Sequence, residues 1–407
     1  MTPAPAGGQG PALPGNGATF AGLRRKPAPP RPGLLAAAPA RKVRRMADPR
    51  SPVRYRDEIE TPRPEEAETI ERIIAAMTRE SGVTAARCGH AIRASHAKSH
   101  GLLKGELQVL EGLPPELAQG LFARPRRYPV LARLSNAPGE ILADSVSTQR
   151  GMALKVLGVE GERLPGHDAA TQDFVLDTGT RFGNADAAGF LATILALEQA
   201  TRMPQALKSA VSGAARAANA ALNAMGRDNA LLDFLGHPPR HPLAEPYFTQ
   251  APIRYGDYIA KLGIFPATPD LAALPHIDLS KDPDALRTAT VAWFRQQPAA
   301  FEVQVQLCTD LDRMPVEDAS VDWPQEESPY RTVARLYLPA QEACGPVRRR
   351  FMDDVLSFCP SHSLAAHRPL GSLMRARLRA YPALAAWRRS RNGTEAREPG
   401  TPEEVPD

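Results

Sequence analysis

No stretch of the 407 residues approaches the ~18 uncharged apolar residues of a membrane helix, which excludes a chain built on helical spans. Cysteine is scarce. Cys88, Cys308, Cys344 and Cys359 show neither CxxC spacing nor the density of a disulfide scaffold, so they read as free thiols of a reducing, cytoplasmic compartment. No internal repeat is found. Acidic residues are missing altogether from residues 1–45, which hold eight Lys/Arg, nine Pro and seven Gly. With that arm set aside, the formal charge of +5 becomes −3 for the remainder, so the basic balance is a property of the arm and not of the folded body. A segment of this composition cannot offset its ordering entropy, and 1–45 is expected to be disordered. Arg24, Arg25 and Lys26 sit where a twin-arginine signal would, but prolines follow them. The apolar run Leu34 to Ala38 is also shorter than the ~7–15 residues of a signal core. Secretion is disfavoured, and Met46, which opens the protein-like stretch, is a candidate start of translation.

The rest is composed like a soluble globular protein able to bury a large core, with 43% hydrophobic and 23% charged residues in the whole chain. Residues 46–389 are expected to form the domain, and 390–407, polar and rich in Pro and Glu, a disordered tail. Ile70, Ile73, Ile74 and Met77 make the stripe of an amphipathic helix over 65–80. Period-two runs predict strands around 105–111, 129–135, 151–158 and 172–177, spaced for antiparallel pairing. An Ala-rich helical block spans about 185–226. Two later strands follow, one with Phe301, Val303, Val305 and Leu307 on a face, the other alternating Val333, Arg335 and Tyr337 with Ala334, Leu336 and Leu338. Antiparallel strands broken by helices and closed by a C-terminal helical segment suggest an α+β fold with an antiparallel β-barrel core and flanking helices.

The densest group of reactive side chains is Cys88, His90, Arg93, His96, Lys98 and His100, just before the first strand. Three readings stand. On a helix, His96 and His100 would share a face as metal ligands do, but Ala97 occupies the place of the Glu in a zincin HExxH. Each histidine alone reads as a satisfied or exposed side chain. The third reading makes one of them a general acid/base beside Arg93 and a later Arg, around an anionic ligand.

The segment R93-A-S-H96-A-K-S-H-G-L-L-K-G-E-L resembles the distal segment of the haem catalases. A-R133-L-S135-N-A-P-G-E and D144-S-V-S-T-Q-R150-G-M-A-L-K155-V resemble the next two strands of that family, and T171-Q-D-F174 with Phe182 keeps its spacing from Thr to two haem-flanking aromatics. Near the C-terminus, R377-L-R-A-Y381-P resembles the family's proximal motif, with Arg and Tyr on one helical face so that the guanidinium can stabilise a phenolate. The resemblance implies haem b held by Tyr381 as axial metal ligand, with Arg377 as its charge partner. It implies His96 as the proton shuttle and Ser135 as the residue that orients it. Arg93, Arg133 and Arg388 would pair with the haem propionates, and Phe174 and Phe182 would pack on the macrocycle. The fold implied is the catalase-type barrel with a C-terminal helix carrying the proximal Tyr, in a divergent, catalase-like form known from bacteria.

One departure bears on the reaction. The family's distal Asn falls on Ala169, with Asp168 and Gln172 as neighbours able to replace it. Without the amide, placing a second hydrogen peroxide is harder, whereas one-electron oxidation of a co-substrate survives. The expected activity is therefore that of a peroxidase reducing hydrogen peroxide or organic hydroperoxides through an oxo-iron intermediate, with an unknown electron donor. Alternatives are a true catalase, a fatty-acid hydroperoxide isomerase or lyase, and a non-catalytic haem-binding protein. No nucleic acid or membrane partner is expected, the sequence does not place a nicotinamide nucleotide site, and a homo-oligomer is compatible with the resemblance.

Overall fold

Alternation along the chain closes into a barrel in the computed structural model, which describes residues 51–197, 203–225 and 236–407. The arm 1–45 and its expected disorder lie outside those residues. The strands are β1 (Ser99–Val109), β2 (Arg127–Asn136), β3 (Arg150–Leu157), β4 (Thr171–Asp177), β5 (Tyr247–Phe248), β6 (Ile253–Tyr255), β7 (Tyr258–Pro266), β8 (Ala299–Leu307) and β9 (Arg331–Leu338). They are ordered β5-β4-β3-β2-β1-β9-β8-β7-β6, and β5 also pairs with β7, so eight antiparallel strands close on themselves while β6 extends the edge of β7. Around them lie α1 (Glu66–Cys88), α2 (Ala187–Leu197), α3 (Gln205–Ala224), α4 (Pro269–Ala272), α5 (Ala285–Phe294), α6 (Pro346–Arg350) and α7 (Ser372–Asn392). Among the described residues, no helix is long and apolar enough to cross a membrane.

The barrel interior is dry and apolar. Leu103 and Leu107, Leu134, Met152 and Leu154, and Phe301, Val303 and Val305 all point inward with at most 1% of their surface exposed. Each large apolar side chain so buried contributes roughly 1.5–3 kcal/mol. Ala334, Leu336 and Leu338 face in and Arg335 and Tyr337 face out, as the alternation of β9 requires. The strands β5 to β7 were not legible. β5 and β6 are only two and three residues long. In β7 both faces are covered: even Lys261 is 1% exposed, its ammonium over the Trp323 ring at 5.0 Å, so the period-two signal is lost.

The tail departs from expectation. α7 continues to Asn392 and ends at Gly393, whose φ of 61° closes the helix in the left-handed region. Beyond it, Val405 is 1% exposed and packs with Phe351, Met352 and Leu356, while the Asp407 carboxylate pairs with Lys104 at 2.9 Å and Arg348 at 2.5 Å. Residues 393–407 therefore cover the barrel instead of trailing in solvent. Their polar composition concealed this: Val405 supplies a buried apolar contact, and Asp407 and Glu398 add ion pairs to Arg348, Lys104 and Lys155.

Three carboxylates place α7. Arg375 Nε meets Glu66 at 2.6 Å, Nη1 meets Glu60 at 2.8 Å and Nη2 meets Glu317 at 2.9 Å. The same acids accept the first free N–H groups of the helix, Gly371 N on Glu60 and Ser372 N on Glu317, each at 2.8 Å. Burial opposes charge on Arg375, yet the carboxylates outweigh it and raise its pKa. Burial likewise opposes charge on Glu317, but Arg375 and two backbone N–H groups hold its carboxyl below the usual value of 4.5.

Arg375→Met leaves three facing carboxylates without their cation and is expected to cost about 3–5 kcal/mol of unfolding free energy in denaturant titration. The stabilisation carried by Glu317 is fully present above pH 4.5 and lost as pH falls through its depressed folded-state pKa. Unfolding free energy should therefore fall less steeply below pH 4.5 in Glu317→Gln than in the wild type; parallel curves would overturn the assignment.

Candidate functional site

Strand register builds one wall of the site. Across the outer face of β2, β3 and β4 run three rungs: Ser135, Gly151 and Asp177; Arg133, Ala153 and Val175; Leu131, Lys155 and Asp173. Because alternate residues share a face, each rung sits about 6.6 Å from the next.

The first rung positions His96. Its Nδ1 lies 3.2 Å from Ser135 Oγ and its Nε2 3.5 Å from Asp177 Oδ2. Its backbone has φ 53°, a conformation costing a β-substituted residue about 1–3 kcal/mol. Four contacts impose it. His96 N donates to Ala137 O at 2.8 Å, Ala97 N to Pro138 O at 3.0 Å, Arg133 Nη2 donates to His96 O at 2.7 Å, and Ser135 holds the ring. Gly151 leaves room for the imidazole: a Cβ there would lie 2.5 Å from His96 Cε1.

α7 supplies a facing wall. Arg377 and Tyr381 stand one turn apart, with Arg377 Nη2 donating to Tyr381 Oη at 3.0 Å. Pro382 follows inside the helix and leaves Leu378 O without its usual donor. A cavity of about 640 Å³ joins these walls, lined by His96, Asp177, Phe182, Tyr381 and Arg388 among others.

Arginine collects at one end of it. Arg93 lines the cavity and donates through Nη2 to Met352 O and Leu356 O, both at 2.7 Å. Arg388 is 3% exposed, and its Nε and Nη2 have no hydrogen-bond partner; the Nε atoms of Arg93 and Arg133 are likewise buried and unmatched. Burial, then repulsion from Arg93 and Arg133, pushes Arg388 down to about 8; burial and Arg93 push Arg133 down to about 9. Such a cluster is costly until anions meet it.

The third rung holds a second titratable group. Lys155 Nζ grips both oxygens of Asp173 at 2.7 and 2.9 Å, and Asp173 Oδ2 also accepts Cys359 N at 2.9 Å. His362, on the cavity wall, turns Nδ1 to Asp173 Oδ2 at 3.2 Å. Glu398 reaches Lys155 at 2.6 Å, and burial raises its carboxyl pKa despite the ammonium.

Of the residues expected from sequence, His96, Arg93, Phe182, Arg377, Tyr381 and Arg388 meet at this cavity, with Ser135 and Arg133 directly behind His96. Phe174 is not brought there. It stands on the inward face of β4 against Phe122 and His367, and alternation offers Val175 to the cavity in its place. Neither candidate replacement for the distal amide arrives: Asp168 is exposed, and Gln172 is spent on Ser363 and Leu364 N. The shared-helix reading of His96 and His100 fails, since His100 lies in β1, bonded to Asn136 at 2.8 Å and pushed down to about 3 by burial. Asp177 and His362 were missed. Asp177 sits three residues past Phe174 on the opposite face, a signal that correct strand phase would have exposed. His362 carries no local signal.

No family model matches the chain, and no curated protein matches it. Among solved structures it is similar to a fungal catalase, with a TM-score of 0.53 and 18% identity over 72% of this chain and 58% of that one. It thus spans less than two thirds of that catalase. It is similar also to catalase A from Saccharomyces cerevisiae, with a TM-score of 0.53 and 18% identity over 84% of this chain and 68% of the other. At such identity the likeness is one of fold, and the fold of this chain is catalase-like.

The donor set suits the haem that the sequence resemblance implies. Tyr381 offers an oxygen ligand with a guanidinium beside it, and the unmatched N–H groups of Arg93 and Arg388 suit two carboxylates. Gly151→Ala should drive the His96 ring off Ser135 without unfolding the barrel. This is read as a displaced His96 ring resonance with unchanged circular dichroism; an unmoved resonance would show that the ring does not depend on the missing Cβ.

Proposed function

We propose that this chain is a haem b peroxidase on a catalase-like fold, reducing hydrogen peroxide or organic hydroperoxides with electrons from a co-substrate. The observation that carries the reading is the Arg377–Tyr381 pair at 3.0 Å on one cavity wall with His96, fixed by Ser135, on the strand wall. Bound haem would supply the redox-active iron. Tyr381 Oη would be its ligand, with Arg377 donating to the same oxygen so as to neutralise a phenolate. His96 would move a proton between the two peroxide oxygens, so that one leaves as water or alcohol. Arg93 and Arg388 would hold the propionates, with Arg133 supporting from behind His96.

Asp177 supports the peroxidase bias. Its Oδ1 accepts Thr178 N at 2.8 Å and its Oδ2 faces His96 Nε2. A carboxylate accepts hydrogen bonds and donates none, so it cannot polarise a second peroxide as an amide N–H would.

Tyr381→Phe is expected to change the Soret band of the haem-loaded protein, and an identical spectrum would overturn the ligand assignment. His96→Ala should keep that band and lose about 10²–10⁴-fold in the rate of reaction with peroxide; an unchanged rate would favour a haem-binding protein without turnover. Asp177→Asn should raise oxygen release relative to donor oxidation several-fold. Oxygen release at the rates of a dedicated catalase in the wild type would reverse the bias.

A further inference from the structure

Lys155, Asp173 and His362 form a buried charged group that the peroxide step does not use. Both side chains of the Lys155–Asp173 pair are 0% exposed, so the barrel bears the full desolvation cost of two charges. Lys155 already satisfies Asp173 with two hydrogen bonds, and Cys359 N adds a third. Asp173 therefore has no structural need of an imidazole. Its contact with His362 Nδ1 at 3.2 Å, with Glu398 Oε1 at 3.7 Å on the same nitrogen, instead fixes the ring. Stacking on His167, with centroids 4.5 Å apart and planes 8° apart, fixes it further. Two carboxylates around Nδ1, Asp173 nearer to it than the Lys155 ammonium at 3.5 Å, favour a proton there, which leaves Nε2 as the free base of a ring that lines the cavity.

Asp173 and Asp177 lie on one face of β4, four residues and thus about 13 Å apart, with Val175 between them. One histidine is held at each end of this stretch. Both rings line the cavity, His96 beside Asp177 and His362 beside Asp173.

We propose that His362 is a second proton-handling residue of this cavity, taking the hydroxyl proton of a phenolic electron donor as that donor gives up one electron. This rests on the haem peroxidase reading and names its co-substrate class. Two phenols each lose one electron and one proton and become phenoxyl radicals. The two electrons and two protons convert one hydroperoxide to an alcohol and one water. His362 Nε2 receives each phenolic proton and passes it on. The charged and titratable groups facing the ring are Lys155, Asp173, Glu398, His167 and the Cys359 thiol.

His362→Gln in the haem-loaded protein tests this with two donors. Oxidation of 2-methoxyphenol, which must shed a proton, should fall about 10²-fold. Oxidation of ferrocyanide, which carries none, should change less than threefold. Independently of turnover, nitrogen-15 spectra of the protein loaded with zinc protoporphyrin should show, beside His367, whose Nε2 accepts Leu121 N, a further histidine ring protonated at Nδ1 and bare at Nε2 that is missing from His362→Gln. Equal slowing of both donors, unchanged rates with both, or the opposite tautomer would each overturn the role of His362. Failure of the wild type to retain haem would overturn the peroxidase reading itself, and this inference with it.

Discussion

One guanidinium holds the halves of the site in register. Arg375 ties α7 to the N-terminal segment through Glu60, to α1 through Glu66 and to the loop before β9 through Glu317. Tyr381 lies on the same rigid helix, less than two turns further on, so its place relative to His96 is set by this clamp. The proposed ligand on one wall and the proposed proton shuttle on another would be useful only at fixed separation. The position of α7 is therefore a condition of the proposed function, and three partly buried acids are the cost of meeting it.

The opposite wall obeys a different constraint. Its geometry comes from the two-residue period of three adjacent strands, which puts Asp177, Val175 and Asp173 on one face while Phe174 and Leu176 turn into the core. The three rungs differ in what they hold. The first fixes His96, the second gives a flat surface of Ala153 and Val175, and the third buries an ion pair under His362. The barrel core supplies the rigidity; polar chemistry is confined to its outer face, under the segment Phe351 to Ser363 and the chain end.

Much of this was legible from residue order. The strands β1 to β4, β8 and β9 and the helix α1 follow from local periodicity, where neighbours in sequence determine faces, and the Arg377–Tyr381 pair follows from the family resemblance. What escaped depends on contacts between distant residues. The choice of Phe174 over Val175 was an error of strand phase, because spacing from a motif does not say which face a residue takes. Arg375, two residues from a motif arginine, carries no signal of its own in the sequence; its place is defined by Glu60, Glu66 and Glu317. The docking of Val405 and Asp407 rests on Arg348 and Lys104, which no composition rule connects to the chain end.

β5 closes the barrel with two pairs to β7 and one to β4, against the long ladder that joins β1 to β2. In mechanical terms the ring has a clasp, and the clasp is its thinnest part. Opening it breaks few hydrogen bonds, so amide exchange there proceeds by local fluctuation while β1 and β2 wait for global unfolding. The single pair to β4 joins Phe248 to Asp177, the residue beside His96. The thinnest seam of the cylinder thus borders the candidate site.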